Sequence, residues 1–213
     1  MRRWGWFAAG MLVGAFTGVR WTTKRFHLIT PVAVAPMLVH PWRLAYRAPE
    51  RLVQLLDVAP DHHILEVGCG NGALLKAFAE AVPRGLAVGI DLQWGMLARA
   101  QGRAAAAALC RATALRLPFA DASFDRVVLI AVLPMIAARA QALQEVRRVL
   151  KPSGALLVGE EWLAPEFVPW HVARQWVEAA GFCLEQAERN WLSYALRFTP
   201  TAASASAAHF RPK

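Results

Sequence analysis

Apolar residues recur along this chain with two different periods, and the switches between them mark out alternating strands and helices. Near-continuous apolar runs at Ile64–Val67, Leu86–Ile90, Leu109–Ala112, Phe124–Ala131 and Ala155–Gly159 predict short strands. The run at Phe124–Ala131 is the most continuous, as a central strand covered on both faces requires. Between and around them the apolar spacing is helical. One helix is predicted over Pro49–Asp57, with Leu52, Val53, Leu55 and Leu56 on its core side and Pro49 in the first turn. A second starts near Ala73 and carries Leu74, Leu75, Phe78 and Val82. Further helices are predicted over Trp94–Ala108, Ala137–Leu150 and Val168–Ala180, the last ending on Gly181 as its C-cap. Phe182–Ala187 and Trp191–Phe198 read as a closing antiparallel hairpin, and Thr201–Lys213, rich in Ala and Ser, as a disordered tail.

The N-terminal segment breaks this pattern. Trp4–Val19 holds no charge and is bracketed by Arg2-Arg3 and Arg20. As a helix its sixteen residues reach about 24 Å, short of the ~30 Å hydrocarbon core of a bilayer. Trp4, Trp6 and Trp21 lie near its ends, where indoles favour a membrane interface. Gly10, Gly14 and Gly18 share one face, a spacing that lets membrane helices approach. The expectation is a membrane-associating helix, against a helix packed on the domain and a cleaved signal peptide. A second apolar patch, Leu28–Val39, is interrupted by Pro31 and Pro36 and cannot be a regular spanning helix. It reads as a loop touching the membrane or covering a cleft, or as packing on the domain surface. The organisation expected is therefore an N-terminal segment 1–47 that meets a bilayer through residues 4–39, a catalytic domain 48–200 and a tail 201–213.

The chemistry concentrates where the first strand meets its helix. Ile64-Leu65-Glu66-Val67 is followed by Gly68-Cys69-Gly70-Asn71-Gly72. A strand, a glycine turn and a helix start form a nucleotide pocket, because backbone N–H groups close on a ligand with no Cβ in the way. Gly68-x-Gly70-x-x-Ala73 also satisfies the dinucleotide fingerprint, which keeps a nicotinamide-dependent oxidoreductase as an alternative. Glu66 argues against it: a carboxylate at that strand end repels a pyrophosphate and attracts a cation. About 20 residues on, Leu86–Ile90 ends in Asp91, placed to accept both ribose hydroxyls.

At these residues the sequence resembles the class I S-adenosylmethionine-dependent methyltransferases, whose first motif is an acid, a residue and then Gly-x-Gly-x-Gly. The resemblance runs from about Pro49 to Phe198. It takes in Leu117-Pro118-Phe119-Ala120-Asp121-Ala122-Ser123-Phe124-Asp125 and Glu145-Val146-Arg147-Arg148-Val149-Leu150-Lys151-Pro152-Ser153-Gly154. The nearest subgroup is the type 11 methyltransferases, similar to those of ubiquinone and menaquinone biosynthesis. It implies an α/β, Rossmann-like seven-stranded sheet, mostly parallel with an antiparallel C-terminal hairpin, preceded here by the N-terminal apolar helix. It implies S-adenosylmethionine as cofactor, held by Glu66, Gly68, Cys69, Gly70, Asn71 and Gly72 of the turn and by Asp91 and Leu92 of the second strand end. Thr113, Ala114 and Ile130 complete the implied set. Thr113 stands where relatives carry an acid that accepts from the adenine amino group, and Pro134 where many carry a histidine.

Composition narrows the function further. Hydrophobic residues make up 56% of 213 residues, with mean hydropathy +0.31, so apolar surface is expected outside the core. The formal charge is +9, yet Arg2, Arg3, Arg20, Lys24, Arg25, Arg43 and Arg47 all precede the first acid, Glu50. The excess belongs mainly to the N-terminal segment rather than to a nucleic-acid-binding face. No Asn-Pro-Pro-Tyr or Asp-Pro-Pro-Tyr follows the fourth strand, which disfavours base methylation. Cys69, Cys110 and Cys183 form no Cys-x-x-Cys pair, which suits a reducing compartment and gives no metal site. The acceptor expected is a small, apolar molecule of quinone or lipid type, met by a cytoplasmic catalytic domain. No catalytic residue is assigned. His40, Tyr46, Glu160, Glu161 and His171 are candidate bases at the cleft mouth, each weighed against ordinary packing. His62-His63 reads as structural, and Cys69 as a space-filling residue. A third reading is a membrane-tethered binding protein on the same scaffold that does not turn over.

Overall fold

The structure, a computed structural model, describes Gly18, Thr22 and residues 31–33, 48–162 and 164–201. Helix α1 (Pro49–Leu55) leads into β1 (His63–Val67), α2 (Leu75–Ala81), β2 (Leu86–Asp91), α3 (Trp94–Arg103) and β3 (Ala108–Arg111). After a long loop come β4 (Phe124–Ile130), a 3-10 turn at Leu133–Met135, α4 (Arg139–Val149), β5 (Leu150–Glu161), α5 (Trp170–Ala179), β6 (Phe182–Arg189) and β7 (Ser193–Pro200). The strands form one sheet in the order β3-β2-β1-β4-β5-β7-β6. The first five are mutually parallel, and β7 runs antiparallel between β5 and β6. The winding reverses between β1 and β4, and the crevice outside the strand ends at such a reversal is where open α/β sheets bind ligands.

The apolar runs are continuous because both faces of the sheet are covered. Val127, Leu129, Leu156 and Val158 pack with Leu143, Val146 and Val177 of α4 and α5. Ile64, Val128 and Leu157 pack on the other face with Leu52, Leu55, Leu75 and Phe78 of α1 and α2. One buried cation interrupts β4. Arg126 is 8% exposed and donates from Nε to the Leu56 carbonyl at 2.8 Å and from Nη2 to the Asp57 carbonyl at 2.7 Å. It satisfies carbonyls that the end of α1 leaves open and ties that helix to the sheet.

The seven-stranded sheet and its terminal hairpin are as expected, and Gly181 ends α5 with φ +85°. Several boundaries differ. The helix expected to continue to Ala108 stops at Arg103, because Ala108–Arg111 pair in parallel with Val88–Asp91. Leu150 belongs to β5 rather than to α4, pairing with Phe124 across a bulge. β5 also extends to Glu161, two residues past the expected end, and the hairpin strands run two residues beyond theirs. The apolar helix expected at residues 4–19 lies outside the described residues except for Gly18. Gly18 and Thr22 are helical, and Thr22 Oγ1 donates to the Gly18 carbonyl at 2.8 Å. Of the second patch only residues 31–33 are described, and His40, Tyr46 and residues 202–213 are not. Thr201 is held by its N–H and Oγ1, both donating to the Gly181 carbonyl. Among the described residues no helix is long and apolar enough to cross a membrane.

Candidate active site

The turn after β1 is built by backbone that only glycine adopts without strain. Gly68, Gly70 and Gly72 have φ of +71°, +54° and +75°. Gly68 also has no room for a side chain: a Cβ there would lie 2.5 Å from Val132 Cγ2. Val132 belongs to the loop after β4, so the turn after β1 and that loop meet at this glycine. The N–H groups of Gly68 and Cys69 both donate to the Ile90 carbonyl, at 2.8 and 2.9 Å, tying the turn to β2. Arg103 of α3 donates to the Asn71 carbonyl from the other side.

Asp91 stands at the end of β2 and is held by two backbone donors. Oδ2 accepts the Gly70 N–H at 3.0 Å and Oδ1 accepts the Gln93 N–H at 2.8 Å. Each oxygen keeps a lone pair, so the carboxylate is oriented and still able to accept from a diol. Glu66 is 4% exposed, paired in register with Gly89 and Val128. Alternation puts it on the Ile64 face of β1, the face covered by α2, so it underlies the turn rather than standing at an open strand end. Both acids act on the Cys69 thiol. Burial pushes its pKa up, and the charges of Glu66 and Asp91 push it the same way. A thiol so protonated is no nucleophile, consistent with its space-filling reading.

The other implied residues fall into two groups. Leu92 is exposed just past β2, and Ile130 closes β4 at 7% exposure. Thr113 and Ala114 are half-buried beyond β3, and Thr113 Oγ1 accepts the Leu115 N–H at 3.2 Å. That bond uses one lone pair of the hydroxyl and leaves its proton and second lone pair for another partner. The sequence reading did not identify what fixes this loop. Gln141 donates to the Leu115 carbonyl at 3.0 Å, and Glu145 Oε2 accepts the Leu117 N–H at 2.8 Å. Arg148 donates to the carbonyls of Leu117 and Phe119 and to Glu145 and Asp121. The Arg148 guanidinium holds the Glu145 carboxyl down at about 2. The two family-like stretches at 117–125 and 145–154 are thus the two halves of one clamp. Their joint occurrence in the sequence was the available signal.

The candidate bases are not brought together at an open mouth. Glu160 and Glu161 are strand residues, 1% and 3% exposed, in register with Tyr194 and Ser193. His171 is exposed in the first turn of α5, edge-on to Trp170 at 6.0 Å. His62 is structural as expected, with Nδ1 accepting the Ala59 N–H at 3.0 Å, and burial lowers its pKa. The loops where an acceptor would enter are apolar. Residues 131–138 carry no polar side chain, and residues 162–170 carry one, Glu166, at 6% exposure.

Comparison with known proteins agrees with this arrangement. Residues 65–158 match a family model described as a methyltransferase domain. The chain is 37% identical over 105 residues to a demethylmenaquinone methyltransferase of Symbiobacterium thermophilum, covering 46% of this chain and 42% of that one. It is 36% identical over 123 residues to a ubiquinone/menaquinone biosynthesis C-methyltransferase of Syntrophotalea carbinolica, covering 56% and 49% respectively. The chain thus spans less than half the length of these curated relatives. A solved S-adenosylmethionine-dependent methyltransferase from Aquifex aeolicus superposes with a TM-score of 0.75 at 18% identity, over 81% of this chain and 100% of that one, and shares the fold. With the glycine turn, the oriented Asp91 and a sheet closed by an antiparallel β7 already in place, these matches make residues 65–158 similar to the type 11 methyltransferase domain and give the sheet the fold of the solved S-adenosylmethionine-dependent methyltransferase.

Proposed function

We propose that the chain transfers a methyl group from S-adenosylmethionine to a small apolar acceptor. The observation that carries this is the pairing of two surfaces at one crevice. A glycine turn and an oriented carboxylate form the donor side, and the almost wholly apolar loops 131–138 and 162–170 form the acceptor side. The residues fit the donor. Gly68, Gly70 and Gly72 give the turn its left-handed backbone, Asp91 retains acceptor capacity for a ribose diol, and Glu66 and Asp91 supply the negative field that suits a cation. Leu92, Ile130, Thr113 and Ala114 are assigned to the adenosine, and Cys69, Asn71 and the glycines to the methionine portion. When bound, the donor supplies an electrophilic methyl on a sulfonium. What the protein adds is orientation and exclusion of water, for which apolar loops are suited.

The relatives named for demethylmenaquinone and for ubiquinone or menaquinone support a quinone-like acceptor, and the apolar loops agree with it. The N-terminal residues 4–39 are assigned to a bilayer on their sequence, with the domain at 48–200 on the cytoplasmic side, where the donor is made. Titration calorimetry with S-adenosylhomocysteine and with NADH tests the donor: the first binds and the second does not. NADH binding alone would replace the proposal by an oxidoreductase. Incubation with labelled S-adenosylmethionine and a lipid extract tests the acceptor, and the label is expected in the apolar fraction. Label confined to water-soluble products would exclude a lipid-like acceptor.

A further inference from the structure

The carboxyl edge of the sheet, where the parallel strands end, carries a feature that methyl transfer does not use. Among the described residues five large hydrophobic side chains are exposed: Leu86, Leu92, Trp94, Trp162 and Trp191. Leu86 opens β2 at the opposite edge. Leu92 and Trp94 follow the end of β2, Trp162 follows the end of β5, and Trp191 lies in the β6–β7 turn, all at the carboxyl edge. Exposed apolar residues scattered singly need no explanation. Three indoles sharing one edge, with Trp94 65% and Trp191 86% exposed, do.

Cations accompany them. Arg111, the last residue of β3, stacks 5.5 Å from the Trp94 ring, and Arg189, the last of β6, stacks 4.4 Å from the Trp170 ring. Both arginines are exposed. Residues 92–94, 131–138, 162–170 and 190–192 at this edge hold a single acid, Glu166, and it is buried. The loops of this edge are therefore apolar and indole-bearing, with the exposed Arg111 and Arg189 beside the indoles and the acid Asp91 held at the end of β2 by the Gly70 and Gln93 N–H groups. Indoles settle at the water–lipid boundary, long cationic side chains reach headgroup phosphates from it, and an anionic leaflet attracts such a surface. A peptide or a nucleic acid calls for hydrogen-bonding groups or a continuous basic groove, which these loops lack.

We propose that this edge docks on an anionic lipid bilayer, with Trp94, Trp162 and Trp191 entering the headgroup region and Arg111 and Arg189 meeting lipid phosphates. The path of the chain agrees. A Cβ on Gly95 would lie 3.1 Å from Val32 Cγ1 and Cγ2, so the segment that precedes the domain reaches the same edge, beside Trp94. The uncharged run Trp4–Val19 lies upstream in that segment. Docking this way turns the crevice toward the membrane, and an apolar acceptor then enters without crossing water. The inference deepens the apolar-acceptor reading and rests on it for the acceptor alone.

Vesicle sedimentation of the full chain with phosphatidylcholine, with and without phosphatidylglycerol, tests it, alongside quenching of tryptophan fluorescence by brominated lipids. The wild type is expected to partition, more strongly onto phosphatidylglycerol. The combined Trp94→Ala, Trp162→Ala, Trp191→Ala variant should lose about tenfold or more in partitioning, since binding scales with the apolar area inserted. The Arg111→Gln, Arg189→Gln variant should lose the phosphatidylglycerol-dependent part, which salt also screens. Partitioning of the triple variant equal to wild type, or no partitioning of wild type onto either vesicle, overturns the proposal. S-adenosylhomocysteine affinity measured on the same samples keeps the two readings apart, because it tracks the donor site and not the lipid. If the triple variant does not fold, Trp191→Ala at the tip of its turn carries the test, and unchanged quenching in it refutes a role for that indole.

Discussion

Asp91 accepts one backbone N–H on each oxygen, from Gly70 and Gln93, so its carboxylate is aimed before any ligand arrives. Removing it deletes charge-assisted hydrogen bonds and frees the turn. Asp91→Ala is expected to weaken S-adenosylhomocysteine binding by about 1–3 kcal/mol in calorimetry. Glu66→Ala should weaken it by a similar amount through the turn it underlies, and unchanged affinity in both would remove these residues from the donor site. Gly68 is constrained twice, by its positive φ and by Val132. Gly68→Ala should cost about 1–2 kcal/mol for the left-handed backbone alone, plus the clash with Val132. Adding Val132→Ala should recover the second part and not the first, as read by urea denaturation. The identities of Asp91 and the glycines were legible in the sequence because turn chemistry is local. The partner of Gly68 was not, since Val132 is 64 residues away along the chain and meets it only in the fold.

Between elements, two polar devices fix what apolar packing leaves loose. Arg126 binds the end of α1 to β4, and Arg126→Met leaves the Leu56 and Asp57 carbonyls without that donor, an expected loss of about 1–3 kcal/mol in urea. The Glu145–Arg148 pair fixes the loop that carries Thr113 to Phe119. Because the Glu145 carboxyl is held at about 2, below its unfolded range, its contribution is full above the unfolded carboxylate pKa. That contribution is lost as pH falls from there through about 2. Melting temperature against pH should show this loss in the wild type, whereas Glu145→Gln should be less stable at neutral pH and lack that part of the acid limb. Helix boundaries show the same priority of tertiary demands. The alanines from Ala104 to Ala108 have the highest intrinsic helix propensity, yet the helix stops at Arg103 because β3 must reach its register with β2.

At the scale of the whole molecule, β7 is the piece that distinguishes this sheet from an all-parallel one. It pairs antiparallel with both neighbours, and its Phe198 is fully buried among Leu156, Val158 and Phe182. Phe198→Ala is expected to cost about 3–5 kcal/mol of unfolding free energy, measured by denaturant titration. An effect below 1 kcal/mol would mean that β7 contributes little to the core. The arrangement also joins the two proposals. A sheet whose winding reverses between β1 and β4 puts its crevice at the carboxyl edge. The same edge collects the exposed indoles, and β2 serves both proposals, its end carrying Asp91 for the donor and leading into Trp94 for the lipid surface.

The sequence by itself determined the alternation of strands and helices, the glycine turn, the acid after the second strand and the terminal hairpin. Each of these is set by periodicity or by backbone freedom within a few neighbouring residues. Tertiary structure alone decided where the strands end, that Glu160 and Glu161 are buried in β5 rather than standing at its mouth, and that Val132 closes on Gly68. It also decided that Trp94, Trp162 and Trp191 share one edge. Those facts depend on pairings between residues tens of positions apart, and side-chain pattern carries no record of which distant partner a strand will find.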